Sequence, residues 1–82
     1  MSSRSKLRWL CRRGSLELDL VLSRYLERGY DAAPAAEREI FEKLLDFPDP
    51  ALHRYFIAQD DPDDPQLLNL VRIIRALAPD IP

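Results

Sequence analysis

The two glycines of this 82-residue chain, Gly14 and Gly29, fall where a helical rhythm of apolar residues breaks, and that punctuation constrains the fold more than any other feature. Glycine takes the left-handed backbone conformation that closes a helix without a steric penalty. Before Gly14, Leu7, Leu10 and Cys11 recur at i, i+3 and i+4. Before Gly29, Leu18, Val21, Leu22, Tyr25 and Leu26 form an inward stripe that Leu16 and Leu20 widen. No segment shows the strict alternation of a half-buried strand. The spacing predicts a first helix over residues 4–12 and a second over residues 16–28.

Proline sets the remaining boundaries. Pro34 suits the first turn of a third helix, because its missing N–H would be unpaired there anyway. Ala36, Ile40, Phe41, Leu44 and Leu45 make the inward face of that helix, and Glu37, Arg38, Glu39, Glu42 and Lys43 its solvated side. Asp49-Pro50 and Asp64-Pro65 repeat one start signal, a capping acceptor followed by proline at the first helical position. A short fourth helix then presents Leu52, Tyr55 and Phe56. A fifth runs to about residue 78 with Leu67, Leu70, Val71, Ile74 and Leu77 inward, and Pro79 and Pro82 block its continuation. Five helices joined by short loops predict an all-α chain, a compact five-helix antiparallel bundle in a single domain over residues 1–82. A chain this short buries only about 60% of its unfolded surface, so the core is small and leaves little room for a deep pocket.

Composition excludes several classes. With 46% hydrophobic and 32% charged residues the chain is too apolar for disorder, and it has no run long enough to cross a bilayer. One cysteine, Cys11, makes no internal disulfide, which fits a reducing compartment. One histidine, His53, lies too far from Cys11 in sequence to share a metal with it. Residues 1–13 are rich in Arg and Ser and free of acids, as in a transit peptide, yet the helical spacing reads them as the first helix of a bacterial cytoplasmic protein. Five basic residues, Arg4, Lys6, Arg8, Arg12 and Arg13, precede any acid, which leaves seven against fourteen acidic groups in the rest. The acidic remainder and the lack of a groove-reading motif argue against nucleic acid.

The candidate chemistry is sparse. Asp60, Asp61, Asp63 and Asp64 lack the alternating ligands, central glycine and terminal glutamate of a calcium loop, and read as solvated. His53 has no nucleophile or carboxylate at triad spacing. Cys11 has Arg8, Arg12 and Arg13 nearby to lower its pKa, but its place beside Leu7 and Leu10 favours packing. Trp9 lies off that face, where a large ring either anchors a partner or covers a core edge. Arg13 and Glu17 are four apart, the spacing of a surface ion pair of about 0.3 to 0.5 kcal/mol. The order is the weaker one, and Gly14 interrupts the helix between them. Arginine beside glycine equally suits a partner's close approach, with the guanidinium gripping a carboxylate or phosphate in a fork.

The segment Arg13-Gly14-Ser15-Leu16-Glu17 resembles the RGxxE signature of the FAD assembly factors of succinate dehydrogenase. The resemblance takes in Trp9, Cys11, Arg12, Leu18 and Asp19, the Phe41-Glu42-Lys43-Leu44-Leu45 run, the Asp-Pro-Ala-Leu start at 49–52, and Val71-Arg72-Ile73-Ile74. It departs at Ser15, where the family often has methionine, and at Tyr55, where tryptophan is common.

The resemblance implies a five-helix assembly factor, not itself an enzyme. It binds the flavoprotein subunit of succinate dehydrogenase, and in related members that of fumarate reductase, and promotes covalent attachment of FAD. The bond joins a histidine of the flavoprotein to the 8-methyl carbon of FAD, so the organic chemistry belongs to cofactor and client. No FAD is expected to bind stably to the factor, no catalytic residue or metal is expected, and no membrane insertion. The expected contact surface is Arg13, Gly14 and Glu17, surrounded by Arg8, Trp9, Arg12 and Asp19. Arg13 would pair an anionic group, and Glu17 would orient it or accept a client hydrogen bond. The alternative from the residues alone is a generic helical interaction module, antitoxin-like or regulatory, using another face such as the acidic loop.

Overall fold

The computed structural model describes residues 4–77 and contains five helices: α1 Arg4–Leu10, α2 Leu16–Arg28, α3 Ala35–Leu44, α4 Asp49–Phe56 and α5 Pro65–Ala76. The bundle is all-α, as the periodicity dictates, and the described residues include no strand. Its principal pairings are α3 with α5, α2 with α4 and α5, α1 with α2, and α4 with α5. Helices α2 and α5 are therefore central, and α3 leans on α5 rather than chiefly on its neighbours in sequence.

One core joins all five helices. Leu7 and Cys11 enter from α1 and the turn after it, Leu18, Val21, Leu22, Tyr25 and Leu26 from α2, and Phe41, Leu44 and Leu45 from α3 and its end. Leu52 and Phe56 come from α4, and Leu67, Leu70, Val71 and Ile74 from α5. Tyr25 is the largest fully buried side chain. Its ring packs on Phe41 at 4.6 Å between centroids, and its hydroxyl donates to Glu37 at 2.6 Å, so the one polar atom of that ring is satisfied. Gly29 is required by this ring: a Cβ there would lie 2.9 Å from two of its carbons, too close to be accommodated without a shift.

The boundaries differ from expectation in ways that sequence explains. Helix α1 stops at Leu10, with Cys11 already in the closing turn. Pro34 and Pro48 cap α3 and α4 from outside, each in extended backbone, so Asp49 is the first helical residue of α4 rather than its cap. Its side chain makes no cap hydrogen bond and is used elsewhere. The Asp64 start matches the expectation: its carboxylate accepts from the Leu67 N–H at 2.9 Å, with Pro65 opening α5. The expected stops at Pro79 and Pro82, and the expected end near residue 78, lie outside the described residues. Leu16 and Leu20 do not widen the α2 core stripe. Both are exposed, because α2 already fills its neighbours' space with five buried residues.

Candidate functional site

The junction between α1 and α2 is built around backbone groups that a helix end leaves without partners. The last turn of α1 closes through Cys11 N–H to Leu7 and Arg12 N–H to Trp9. Gly14 then reverses the chain at φ +84°, in the left-handed region. Its missing side chain is not demanded by crowding, since a Cβ would meet nothing within 4 Å. Ser15 precedes α2 but makes no side-chain cap. Instead Asp19, in the first turn of α2, reaches back and accepts the N–H of Arg13. Its negative charge there also complements the positive end of the helix dipole.

The Arg13 guanidinium turns inward, onto acceptors of its own chain. Nε donates to Asp49 Oδ1 at 2.9 Å, Nη1 to the carbonyls of Leu45 at 2.9 Å and Leu10 at 3.1 Å, and Nη2 to the carbonyl of Phe47 at 2.6 Å. Leu10 ends α1 and Leu45 caps α3, so two of these carbonyls lie at helix ends, where intrahelical donors run out. A guanidinium has five N–H donors, and four are engaged here. The side chain retains only 15% exposure. The fork expected to grip a partner's carboxylate is thus taken up within the chain, tying the α1–α2 turn to the α3–α4 connection.

Glu17 does not orient Arg13. It is exposed, and no hydrogen bond or ion pair joins the two among the described residues. Around the turn the surface is apolar and cationic, with Glu17 as its exposed acid. Trp9 and Leu16 are each 72% exposed, Leu20 lies one turn beyond Leu16, and Arg8 and Arg12 are exposed beside them. The structure therefore brings the sequence-predicted residues to one corner but divides them. Arg13 and Asp19 hold its shape, whereas Arg8, Trp9, Arg12, Gly14 and Glu17 face outward. Asp49 and Leu16 belong to the corner and were missed. Asp49 lies 36 positions from Arg13, beyond the reach of spacing arguments, and Leu16 was read as core because it extends an apolar stripe.

The other candidates resolve structurally. Cys11 is fully buried, and desolvation pushes its thiol from 9.0 to about 11 although the nearby Arg13 charge opposes the shift. It stays a protonated core residue at neutral pH. His53 is exposed on α4. In the acidic loop, Asp61 pairs with Arg75 at 2.9 Å and Asp64 caps α5, and among the described residues no three His, Cys, Asp or Glu side chains converge as metal ligands. No described helix is long and apolar enough to cross a membrane.

Comparison with known proteins gives a consistent result. A family model described as flavinator of succinate dehydrogenase matches residues 5–78. The FAD assembly factor SdhE of Methylococcus capsulatus is 46% identical over 77 residues, covering 94% of this chain and 93% of the relative. That of Coxiella burnetii is 40% identical over 73 residues, covering 89% of each. That of Yersinia pseudotuberculosis is 30% identical over 76 residues, covering 93% of this chain and 86% of the relative.

Proposed function

Since the chain belongs to the family of flavinators of succinate dehydrogenase, we propose that it docks on the flavoprotein subunit of that enzyme through the Gly14 corner. It is a flavinylation assembly factor, and its role is to promote the attachment of FAD to the client. The observation that carries the docking assignment is the exposure of Trp9 and Leu16, 72% each, on either side of a turn that has no side chain of its own at Gly14. Aromatic and arginine side chains supply most of the energy at protein interfaces, and Trp9 stands here with Arg8 and Arg12. Gly14 lets a client backbone approach closely, and Glu17 is available to accept a hydrogen bond from it.

The factor contributes geometry rather than chemistry. The flavin's electron-poor ring activates its own methyl carbon, and the nucleophilic histidine belongs to the client. Holding two groups at near-attack distance supplies several kcal/mol of a barrier without any acid, base or metal from the helper. On this reading the protein is not an enzyme, binds no FAD stably, and acts on flavin held by the flavoprotein. The flavoprotein of fumarate reductase, with the same kind of cofactor attachment, is a second client. A bacterial cytoplasm suits a chain whose single thiol is buried and unpaired.

Covalent flavin on the succinate dehydrogenase flavoprotein tests the assignment, read as fluorescence of the denatured subunit from cells lacking this gene. Wild type restores the fluorescence, and folded Trp9→Ala and Glu17→Ala variants restore less of it. Full fluorescence in the deletion strain would remove the flavinylation role and leave the generic helical binder.

A further inference from the structure

The geometry points to Asp49 as a positioning residue for flavinylation, acting through Arg13: the Arg13–Asp49 latch sets the shape of the Gly14 corner, and Arg13 is not itself a client ligand. The inference rests on the assembly-factor reading above and assigns a function to a side chain that lies outside the RGxxE segment.

Several observations carry it. The guanidinium of Arg13 has one free N–H, too few for the two-pronged grip that recognises an anionic client group. Its acceptors come from three separate parts of the chain: Leu10 at the end of α1, Leu45 and Phe47 in the α3–α4 connection, and Asp49 in the first turn of α4. Asp49 is the only charged one. Its carboxylate, half exposed at 46%, supplies the one charge-assisted contact made by Nε and fixes the plane in which the other donors point. Asp49 is also released from capping its own helix, since Pro48 precedes it and no side-chain cap forms. Meanwhile the backbone N–H of Arg13 is held by Asp19, so both ends of the residue are fixed. The residue next to this doubly held arginine is Gly14, and Trp9 and Leu16 flank the pair. Loss of either carboxylate would move the surface that the client meets.

A latch and a ligand predict opposite behaviour for Asp49. If Arg13 gripped the client directly, removing Asp49 would free the guanidinium and leave client recognition intact or improved. If Arg13 works through Asp49, removing either residue produces the same defect, and removing both adds little. Lysine at position 13 separates the two further. It keeps the charge but gathers three donors on a single nitrogen, too few and too closely placed for the four acceptors that the planar guanidinium reaches from three nitrogens.

Purified apo-flavoprotein of succinate dehydrogenase, FAD and increasing concentrations of the full chain provide the assay, with covalent flavin read on the denatured subunit. Arg13→Ala, Arg13→Lys and Asp49→Ala are each expected to raise the factor concentration for half-maximal rate about 10-fold, with the rate at saturating factor unchanged. The double variant Arg13→Ala/Asp49→Ala is expected within about 2-fold of the worse single variant, whereas direct client contacts by both residues would multiply. Arg75→Ala, which removes a comparable arginine clamp at the other end of α4, controls for lost stability. It is expected to lower the melting temperature similarly and leave the half-maximal concentration unchanged. An Asp49→Ala variant that is folded and as active as wild type overturns the inference alone, as does an active Arg13→Lys. Multiplicative defects in the double variant, or an equal defect in Arg75→Ala, overturn it as well. Wild-type chain that fails to accelerate flavinylation overturns the assembly-factor reading, and this inference with it.

Discussion

Arg13 and Arg75 do the same structural work at two corners of the bundle, and the contrast between those corners separates what builds the fold from what the fold presents. Arg75 donates Nε to the carbonyl of Tyr55, Nη1 to Asp61 and Nη2 to the carbonyl of Asp60, each at 2.9 Å. Like Arg13, it is largely covered, binds one carboxylate, and satisfies a carbonyl near a helix end. The surfaces left outside differ. Around Arg75 lie Asp60, Asp61, Asp63 and Asp64, an acidic loop pinned to α5. Around Arg13 lie Trp9, Leu16, Arg8 and Arg12, apolar and cationic. An inward arginine is therefore a fastening in both places, and what differs is the apolar surface outside it: Trp9 and Leu16 are 72% exposed at the Arg13 corner, against 38% for Ile57 near the Arg75 corner, which supports the proposed contact face at the former.

The left-handed residues sharpen the same contrast. Gln59, close to the Arg75 corner, has φ +59°, so the chain accommodates a full side chain in this backbone region. Gly14 has φ +84° and open space around it, yet carries none. Its smallness serves the backbone conformation and leaves its outer side clear.

The largest effects on stability are expected at the two arginines themselves. Arg13→Ala and Arg75→Ala should each lower unfolding free energy by about 2–3 kcal/mol in urea titrations, since each leaves a carboxylate and at least two carbonyls without their donor. A cost at Arg75 much smaller than at Arg13 would break their equivalence as fastenings. Next comes alkali. Burial raises Cys11 from 9.0 to about 11, and burial together with the Glu37 hydrogen bond raises Tyr25, so both are held neutral in the fold. Their stabilising contribution is complete below pH 9.0 and fades as pH climbs through about 11, because the unfolded chain gives up these protons first. Urea midpoints should fall across that window, with thiolate absorbance appearing only as the fold opens.

At Gly14 the expected cost is smaller. Gly14→Ala should destabilise by about 1 kcal/mol for the positive φ, and Gly14→Asn by less, because asparagine tolerates that region. Both should weaken client flavinylation, whereas Gln59→Gly at the other corner should leave it unchanged and add a few tenths of a kcal/mol to stability. Smallest of all are the exposed groups. Trp9→Ser and Leu16→Ser should change unfolding free energy by less than about 0.5 kcal/mol while costing client affinity, the reverse of the pattern at Arg75. A large stability loss from either would return those side chains to the core and remove the distinction.

The helices were legible because apolar spacing and punctuation agree. The limits of α2 coincide with the expectation, and Asp64-Pro65 opens α5 as its chemistry requires. The corner was legible only in part. Spacing placed Trp9, Gly14 and Glu17 together, but for Arg13 it offered only Glu17, four residues on, or an anionic group of a partner, and not carbonyls more than 30 positions away. Backbone acceptors carry no residue-type signature, so nothing in the sequence advertises them. Leu16 and Leu20 were misassigned for a related reason. A helical period names a face without saying how wide a face the neighbouring helices can cover, and in a chain this small that width is limited.

Amide hydrogen exchange of the factor, free and bound to apo-flavoprotein of succinate dehydrogenase, tests the contact face most directly. Slowed exchange is expected in the segment around residues 8–17, with little change around 54–63 at the Arg75 corner. Protection confined to residues 54–63, with the Gly14 corner exchanging as in the free chain, would contradict it.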